Sequence, residues 1–346
     1  MIPASHVETM RVPGYRLGRR PHDPQRPTLR LGNLLTGTVP AHPVAVDHYS
    51  KVNAWGMLGN DNYGDCGPAM VEHDRMLVSK YLANITLPAS LTDTLDLYTR
   101  SGNPHFPTDD NGVVIADMLA EVHANGIGPA SARVKSVAYA QVNIADLDEI
   151  RAAVAIFGSV HLGVDLQTAQ QAQTDRGGPW DYSLSQEWGG HAILAGYYTS
   201  DTTAGHPDLS VVTWGQPMGV TDAFWRRQTR EAWVVIWPEH LGTAEFLAGV
   251  DQSALIADYA QVTNGKVLPV PVPPAPKPVP VPPVPPAPIP GPVPVPPALP
   301  SITAEESAAN TALAALARKY IGSTRAMPGN TAMQKELGFW LQAWGL

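Results

Sequence analysis

The chain holds a single cysteine, Cys66, among 346 residues. That excludes an intramolecular disulfide framework and a multi-cysteine zinc site. Long apolar runs are missing: none approaches the roughly 20 residues that span a bilayer. The opening Met1-Ile2-Pro3-Ala4-Ser5-His6 lacks the apolar stretch of a signal peptide. Excess positive charge is missing too. A net charge of −8 argues against a general nucleic-acid binder. The aromatics are scattered rather than interleaved with Lys and Arg, so no nucleic-acid platform is expected. There is no Gly-x-Ser-x-Gly, Walker loop, His-Glu-x-x-His or Gly-x-Gly-x-x-Gly. His6 with Glu8 and Glu72 with His73 lack metal-site spacing. No metal or cofactor is therefore expected.

What is present suffices for a core, with 44% hydrophobic residues against 16% charged. Residues 1–50 are rich in Pro and Arg with little periodicity, and read as an extended basic arm that wraps the next domain or docks on a partner. Residues 51–250 are the globular part. Its first half has helical periodicity at Pro68–Ala83, Val113–Asn125 and Leu147–Phe157; Gly126 and Gly158 are stops and Asp146 a start. Its second half reads as strands at Val160–Val164, His191–Tyr198, Leu209–Trp214 and Ala232–Ile236. Helices followed by strands make an α+β class. Residues 251–300 form a linker whose Pro/Val/Ala tract, from Leu268, predicts a stiff polyproline II spacer of up to ~100 Å. Residues 301–346 predict a small helical module, opened by a capping box from Thr303 to Glu306, whose apolar end suits docking or oligomerisation.

Cys66 lies in Asn60-Asp61-Asn62-Tyr63-Gly64-Asp65-Cys66-Gly67-Pro68, where a polar turn meets a helix start. Unpaired N–H groups and the helix dipole there favour a thiolate. On position alone, a nucleophile and an inert buried thiol both remain open. The matching base is His191 in Gly189-Gly190-His191-Ala192, with two glycines opening space before a buried strand. His73 is two helical turns from Cys66, too far to share its proton, and reads as a core or surface histidine.

Four segments, in chain order, resemble the papain-like cysteine peptidases. They are Gly64-Asp65-Cys66-Gly67-Pro68-Ala69, the stretch from Asp110-Asn111-Gly112 through Ile127, Ile150 through Asp165, and Gly190-His191 through Tyr197 followed by Val211-Val212-Thr213-Trp214-Gly215. Trp55 through Cys66 also resembles phage and bacterial proteins of this type. The resemblance implies a helical lobe carrying Cys66 against a β lobe carrying His191, with the site between them. Cys66 would be the nucleophile and His191 the base and then the acid, resting as a thiolate–imidazolium pair. Asn60 would complete the oxyanion hole, with Asn62 as a second candidate. Asn111 and Gly112 would bind an extended substrate by strand addition, and Trp214 would cover the histidine. The family's His-orienting Asn falls at Val212, which cannot bond the ring. Thr213, on the opposite strand face from Val212, and Gln216 are the candidate replacements.

Two functions follow. One is a thiol hydrolase, a cysteine peptidase or amidase, acting on a peptide or cell-wall peptide. The architecture of catalytic domain, proline spacer and terminal module resembles phage lytic and virion-associated proteins. The other is a virion protein using the fold as scaffold, anchored to phage proteins through residues 1–50 and 301–346. Either would sit in the host cytoplasm or the virion.

Overall fold

The computed structural model describes residues 14–37, 39–199 and 207–269. The helices expected within 301–346, and the proline tract beyond its first two residues, lie outside the described residues. In chain order come β1 (Arg19–Arg20), β2 (Leu29–Arg30), α1 (Leu31–Leu34), β3 (Val46–Asp47), α2 (Cys66–Ala83), α3 (Leu91–Arg100), β4 (Val113–Val114) and α4 (Ile115–Asn125). Then follow β5 (Ala138–Gln141), α5 (Leu147–Phe157), β6 (Val160–Gln167), α6 (Thr168–Asp175), β7 (Glu187–Tyr198), β8 (Pro207–Thr213), β9 (Gln216–Thr221), α7 (Asp222–Gln228), β10 (Thr229–Ile236), α8 (Ala244–Gly249) and α9 (Gln252–Val262). Helix α9 falls within the segment expected as linker. Asp251 caps it, accepting from Ser253 and Ala254 N–H, and Leu255 and Tyr259 bury its inner face.

The class is α+β. A sheet ordered β2-β5-β10-β6-β7-β8-β9, with β3 added beside β7, forms one lobe. Helices α2, α3 and α4 form the other. The strands joining them are buried on both faces, and period-2 alternation divides their side chains. Ala192, Leu194, Trp233 and Val235 pack with the helical lobe, together with Met70, Leu77, Met118 and Leu119. Ile193, Ala195, Val234 and Ile236 pack on the opposite face with Ile150, Phe157 and Phe246.

Helix α2 runs through the middle, buried from Cys66 to Ser79. It starts two residues earlier than periodicity suggests, because Pro68 is tolerated in a first turn where N–H groups have no intrahelical partner. One buried charge holds it to the sheet. Asp74 accepts from Ser159 Oγ and, at 2.6 Å, from Trp237 Nε1. His161 Nε2 lies 3.0 Å from the same carboxylate. Burial opposes that charge, and these three partners outweigh it, holding the Asp74 carboxyl below its ordinary range.

Residues of the expected arm are woven into both sheets. β2 pairs parallel with β5, β3 antiparallel with β7, and β1 parallel with β4.

Candidate active site

Cys66 opens α2 and is 2% exposed. Its thiol lies within hydrogen-bonding reach of the backbone of Ala192, the residue after His191, and of Gly18. Asp65 is the N-cap, yet its carboxyl caps nothing and is fully buried beside Asn60. Burial raises that carboxyl well above its ordinary range. Burial also pushes the Cys66 thiol up to about 12, against the pull of the Ala192 backbone.

His191 sits on β7 and is 1% exposed. Its Nε2 is 2.8 Å from Thr213 Oγ1, and its Nδ1 has no hydrogen-bond partner among the described residues. Burial pulls the ring down to about 3, and the positive charge of Arg19 pulls in the same direction. Burial in the filled cleft disfavours both the thiolate and the imidazolium, and among the described residues no thiol–imidazole hydrogen bond forms.

Thr213, rather than Val212, faces the ring. Val212 pairs with Leu194 and packs toward the helical lobe, so the next residue turns to the histidine side. Gln216, the other candidate, is exposed across the β8–β9 turn and does not reach the ring. That turn places Trp214 at φ +43° and Gly215 at +74°. A bulky residue in the left-handed region costs roughly 1–2 kcal/mol. The indole offsets this by stacking on His191, with centroids 4.4 Å apart and planes 20° apart. It covers one face of the imidazole.

The cleft is filled by the chain's own residues 15–20. Arg16 N–H donates to the Asn60 carbonyl at 3.0 Å, Gly18 N–H to Gly190 at 3.2 Å, and Val113 N–H to Gly18 at 2.7 Å. Trp214 Nε1 donates to the Arg16 carbonyl at 3.2 Å, and Tyr15 packs 4.6 Å from the Trp214 ring. Gly18 is pressed so tightly that a Cβ there would lie 1.8 Å from the Gly64 carbonyl oxygen. Open surface recesses lie elsewhere, such as one of about 350 Å³ between Leu29, His123, Tyr139 and Tyr259.

The remaining expectations fare unevenly. The chain's own segment pairs as a short strand with Val113 and Val114, not with Asn111 or Gly112. Val113 makes the bond, Asn111 N–H is spent on Asn103 Oδ1 at 2.9 Å, and Gly112 N–H on the Tyr98 hydroxyl at 2.9 Å. Asn60 is 2% exposed, and its amide donates to the Tyr63 carbonyl at 3.1 Å inside the turn. Asn62 is exposed. His73 is a core residue: its Nε2 meets the Trp55 and Gly56 carbonyls, and burial pulls it down to about 4. Sequence reasoning missed Gly18 and Arg19, and the carboxylates Glu231 and Asp165 that hold Arg19. No local signal marks Glu231, which follows Thr229 and Arg230 at a strand start.

No family model matches the chain, and no curated protein matches it. Among solved structures it is similar to xylellain, a cysteine protease from Xylella fastidiosa, at 15% identity and TM-score 0.49, covering 65% of this chain and 96% of that one. It is also similar to a cysteine protease of Carica candamarcensis, at 16% identity and TM-score 0.44, covering 56% and 99%. Procathepsin L 3 from Tenebrio molitor larval midgut follows at 14% identity and TM-score 0.44, covering 64% and 76%. These likenesses concern the fold; the chemistry is carried by the side chains described above.

Proposed function

We propose that the chain is a thiol hydrolase, a cysteine peptidase or amidase, whose cleft is held closed by its own residues 15–20. One observation carries the reading. A thiol at a helix N-terminus abuts the residue after a histidine whose Nε2 is held by Thr213, whose face is covered by Trp214, and whose Nδ1 has no partner among the described residues. A ring donating from Nε2 to Thr213 leaves the Nδ1 lone pair as a base.

Once the segment lifts, solvent enters and the charged forms become accessible. Nδ1 takes the Cys66 proton and Sγ bonds to the amide carbonyl carbon. The imidazolium then protonates the leaving nitrogen as the C–N bond breaks. Water, deprotonated by the same Nδ1, attacks the thioester and restores the thiol and the acid product. The Cys66 N–H and a re-aimed Asn60 amide would stabilise the oxyanion. The substrate is a peptide or a peptidoglycan-like peptide, and the source a phage.

A second reading is favoured by the closed cleft itself. A filled site that disfavours both charges suits a virion component that keeps the fold as scaffold, with residues 301–346 as its docking end.

The deciding experiment uses the full chain carrying Gly18→Val, which expels the segment. It is incubated with a mixed peptide library, and new termini are read by mass spectrometry. The hydrolase reading expects cleavage that Cys66→Ser and His191→Ala each abolish. No cleavage, together with a peptidyl epoxide that labels Cys66 no faster than free cysteine, would sink it in favour of the scaffold.

A further inference from the structure

Arg19 is a buried cation, 8% exposed, in the segment that fills the cleft. Its Nη1 is 2.8 Å from Glu231 Oε1 and its Nη2 is 2.5 Å from Asp165 Oδ1. Glu231 stands on β10 opposite Gly163 on β6. Any side chain at Gly163 would invade the seat: a Cβ there would lie 2.6 Å from Glu231 Cγ and 2.7 Å from Arg19 Cδ. Trp233 Nε1 donates to Glu231 Oε2 at 2.8 Å and fixes the carboxylate's direction. Asp165 Oδ2 also binds Arg230 at 2.6 Å, whereas Glu231 pairs with no cation other than Arg19 among the described residues. Arg19 Nε, also buried, has no partner among the described residues.

The physics of the empty seat follows. In the filled cleft Glu231 is 2% exposed, and when the segment lifts it loses Arg19 and keeps one indole N–H. Breaking a buried pair by removing one partner is strongly unfavourable, so a replacement cation is favoured. Two carboxylates taking the two terminal nitrogens of one planar group suit a guanidinium better than a point-charge ammonium. The unpartnered Nε means that the resident arginine is not fully satisfied, so a substrate arginine that bonds its own Nε competes with it.

Resting on the hydrolase reading, we propose that Glu231 and Asp165, over Gly163, form the specificity pocket of the cleft. It admits peptides carrying an arginine within two residues of the bond cleaved. Gly18 lies at the thiol and Arg19, next along, enters the pocket, which sets that spacing.

The test uses the full chain with Gly18→Val and four peptidyl epoxides that differ at one residue: arginine, lysine, citrulline or leucine. Citrulline keeps the shape of arginine without its charge. The readout is the rate of Cys66 alkylation by intact mass. The pocket predicts arginine at least 30-fold over citrulline, lysine between them, and collapse of the arginine advantage to within about threefold in Glu231→Gln. Asp165→Asn, at a half-exposed site, should lower the ratio partially and covers the case in which Glu231→Gln misfolds. Arginine and citrulline rates within threefold of each other, with Cys66 labelled, would overturn the pocket and leave the hydrolase reading standing. If no probe labels Cys66 above the free-cysteine rate, the hydrolase reading falls. The pocket is then judged by fluorescence anisotropy of arginine and citrulline peptides on Cys66→Ala with Gly18→Val, where equal binding overturns it and at least tenfold tighter arginine binding supports it.

Discussion

Gly18→Val should convert a shielded thiol into a reactive one. A Cβ at this position meets the Gly64 carbonyl oxygen at 1.8 Å, and that oxygen is backbone and cannot swing aside. Residues 15–20 must therefore leave. Six hydrogen bonds go with them: Arg16 to Asn60, Gly18 to Gly190, Val113 to Gly18, Trp214 to Arg16, and Arg19 to both Glu231 and Asp165. At about 1 kcal/mol net for each of the first four and about 1.5–3 kcal/mol for each of the two to a carboxylate, the latch is worth about 7 kcal/mol or more. Each 1.4 kcal/mol is tenfold in a population, so the open form in the unmodified chain is about one molecule in 100,000 or fewer. Alkylation of Cys66 by iodoacetamide at pH 8, followed by intact mass, should accelerate by about 1,000-fold or more in the variant. Circular dichroism checks that the fold persists, and Cys66→Ser gives the blank. A rate within threefold of the unmodified chain, with unchanged dichroism, would refute the latch.

Three further outcomes follow from single side chains. Thr213→Val leaves a buried imidazole nitrogen without its partner, a loss of about 1–3 kcal/mol; hydrolysis by the opened chain should fall about tenfold or more, with Thr213→Ser close to wild type, and equal rates for all three would remove Thr213 from the site. Burial, aided by Asp93, pushes Glu72 up to about 7. The folded state then holds a proton that the unfolded chain has lost, so stability falls as pH rises from about 4.5 to about 7, by about 3 kcal/mol in total. Urea titrations of Glu72→Gln should show that fall removed; an unchanged pH profile would contradict the assignment. Asp74→Ala strands His161, Ser159 and Trp237 in the core and should cost about 3–5 kcal/mol, read as a Tm lower by about 10 °C; a drop under 3 °C would show that the network does not hold α2 to the sheet.

Much of the scaffold was legible because its signals are local. Leu147–Phe157 is helical over the expected span: Asp146 accepts from the Asp148 and Glu149 N–H groups at one end and Gly158 closes the other at φ +81°. The strand through His191 was readable from its apolar run. It extends further, from Glu187, because β6 pairs with it from Glu187 to Ala195. The filling of the cleft was not legible. Two-residue pairings such as β1 with β4 have no periodicity to detect, and they join positions far apart in sequence. Helix α3 was missed although Ser90 caps it by accepting from Asp93 N–H. Thr213 was visible as a residue but not as the ring's partner, because strand alternation relative to Val212 does not say which face the histidine occupies. Glu231 was hidden for the converse reason: a charge at a strand start reads as solvated until Arg19 is seen against it.

The pH dependence of Cys66 alkylation in the Gly18→Val chain tests the central claim most directly, that Cys66 and His191 act as one unit. A working pair predicts substantial alkylation persisting below pH 7, where a free thiol with a pKa near 8.5 is unreactive, and loss of that acidic limb in His191→Ala. A single titration near 8.5 in both proteins would contradict the account.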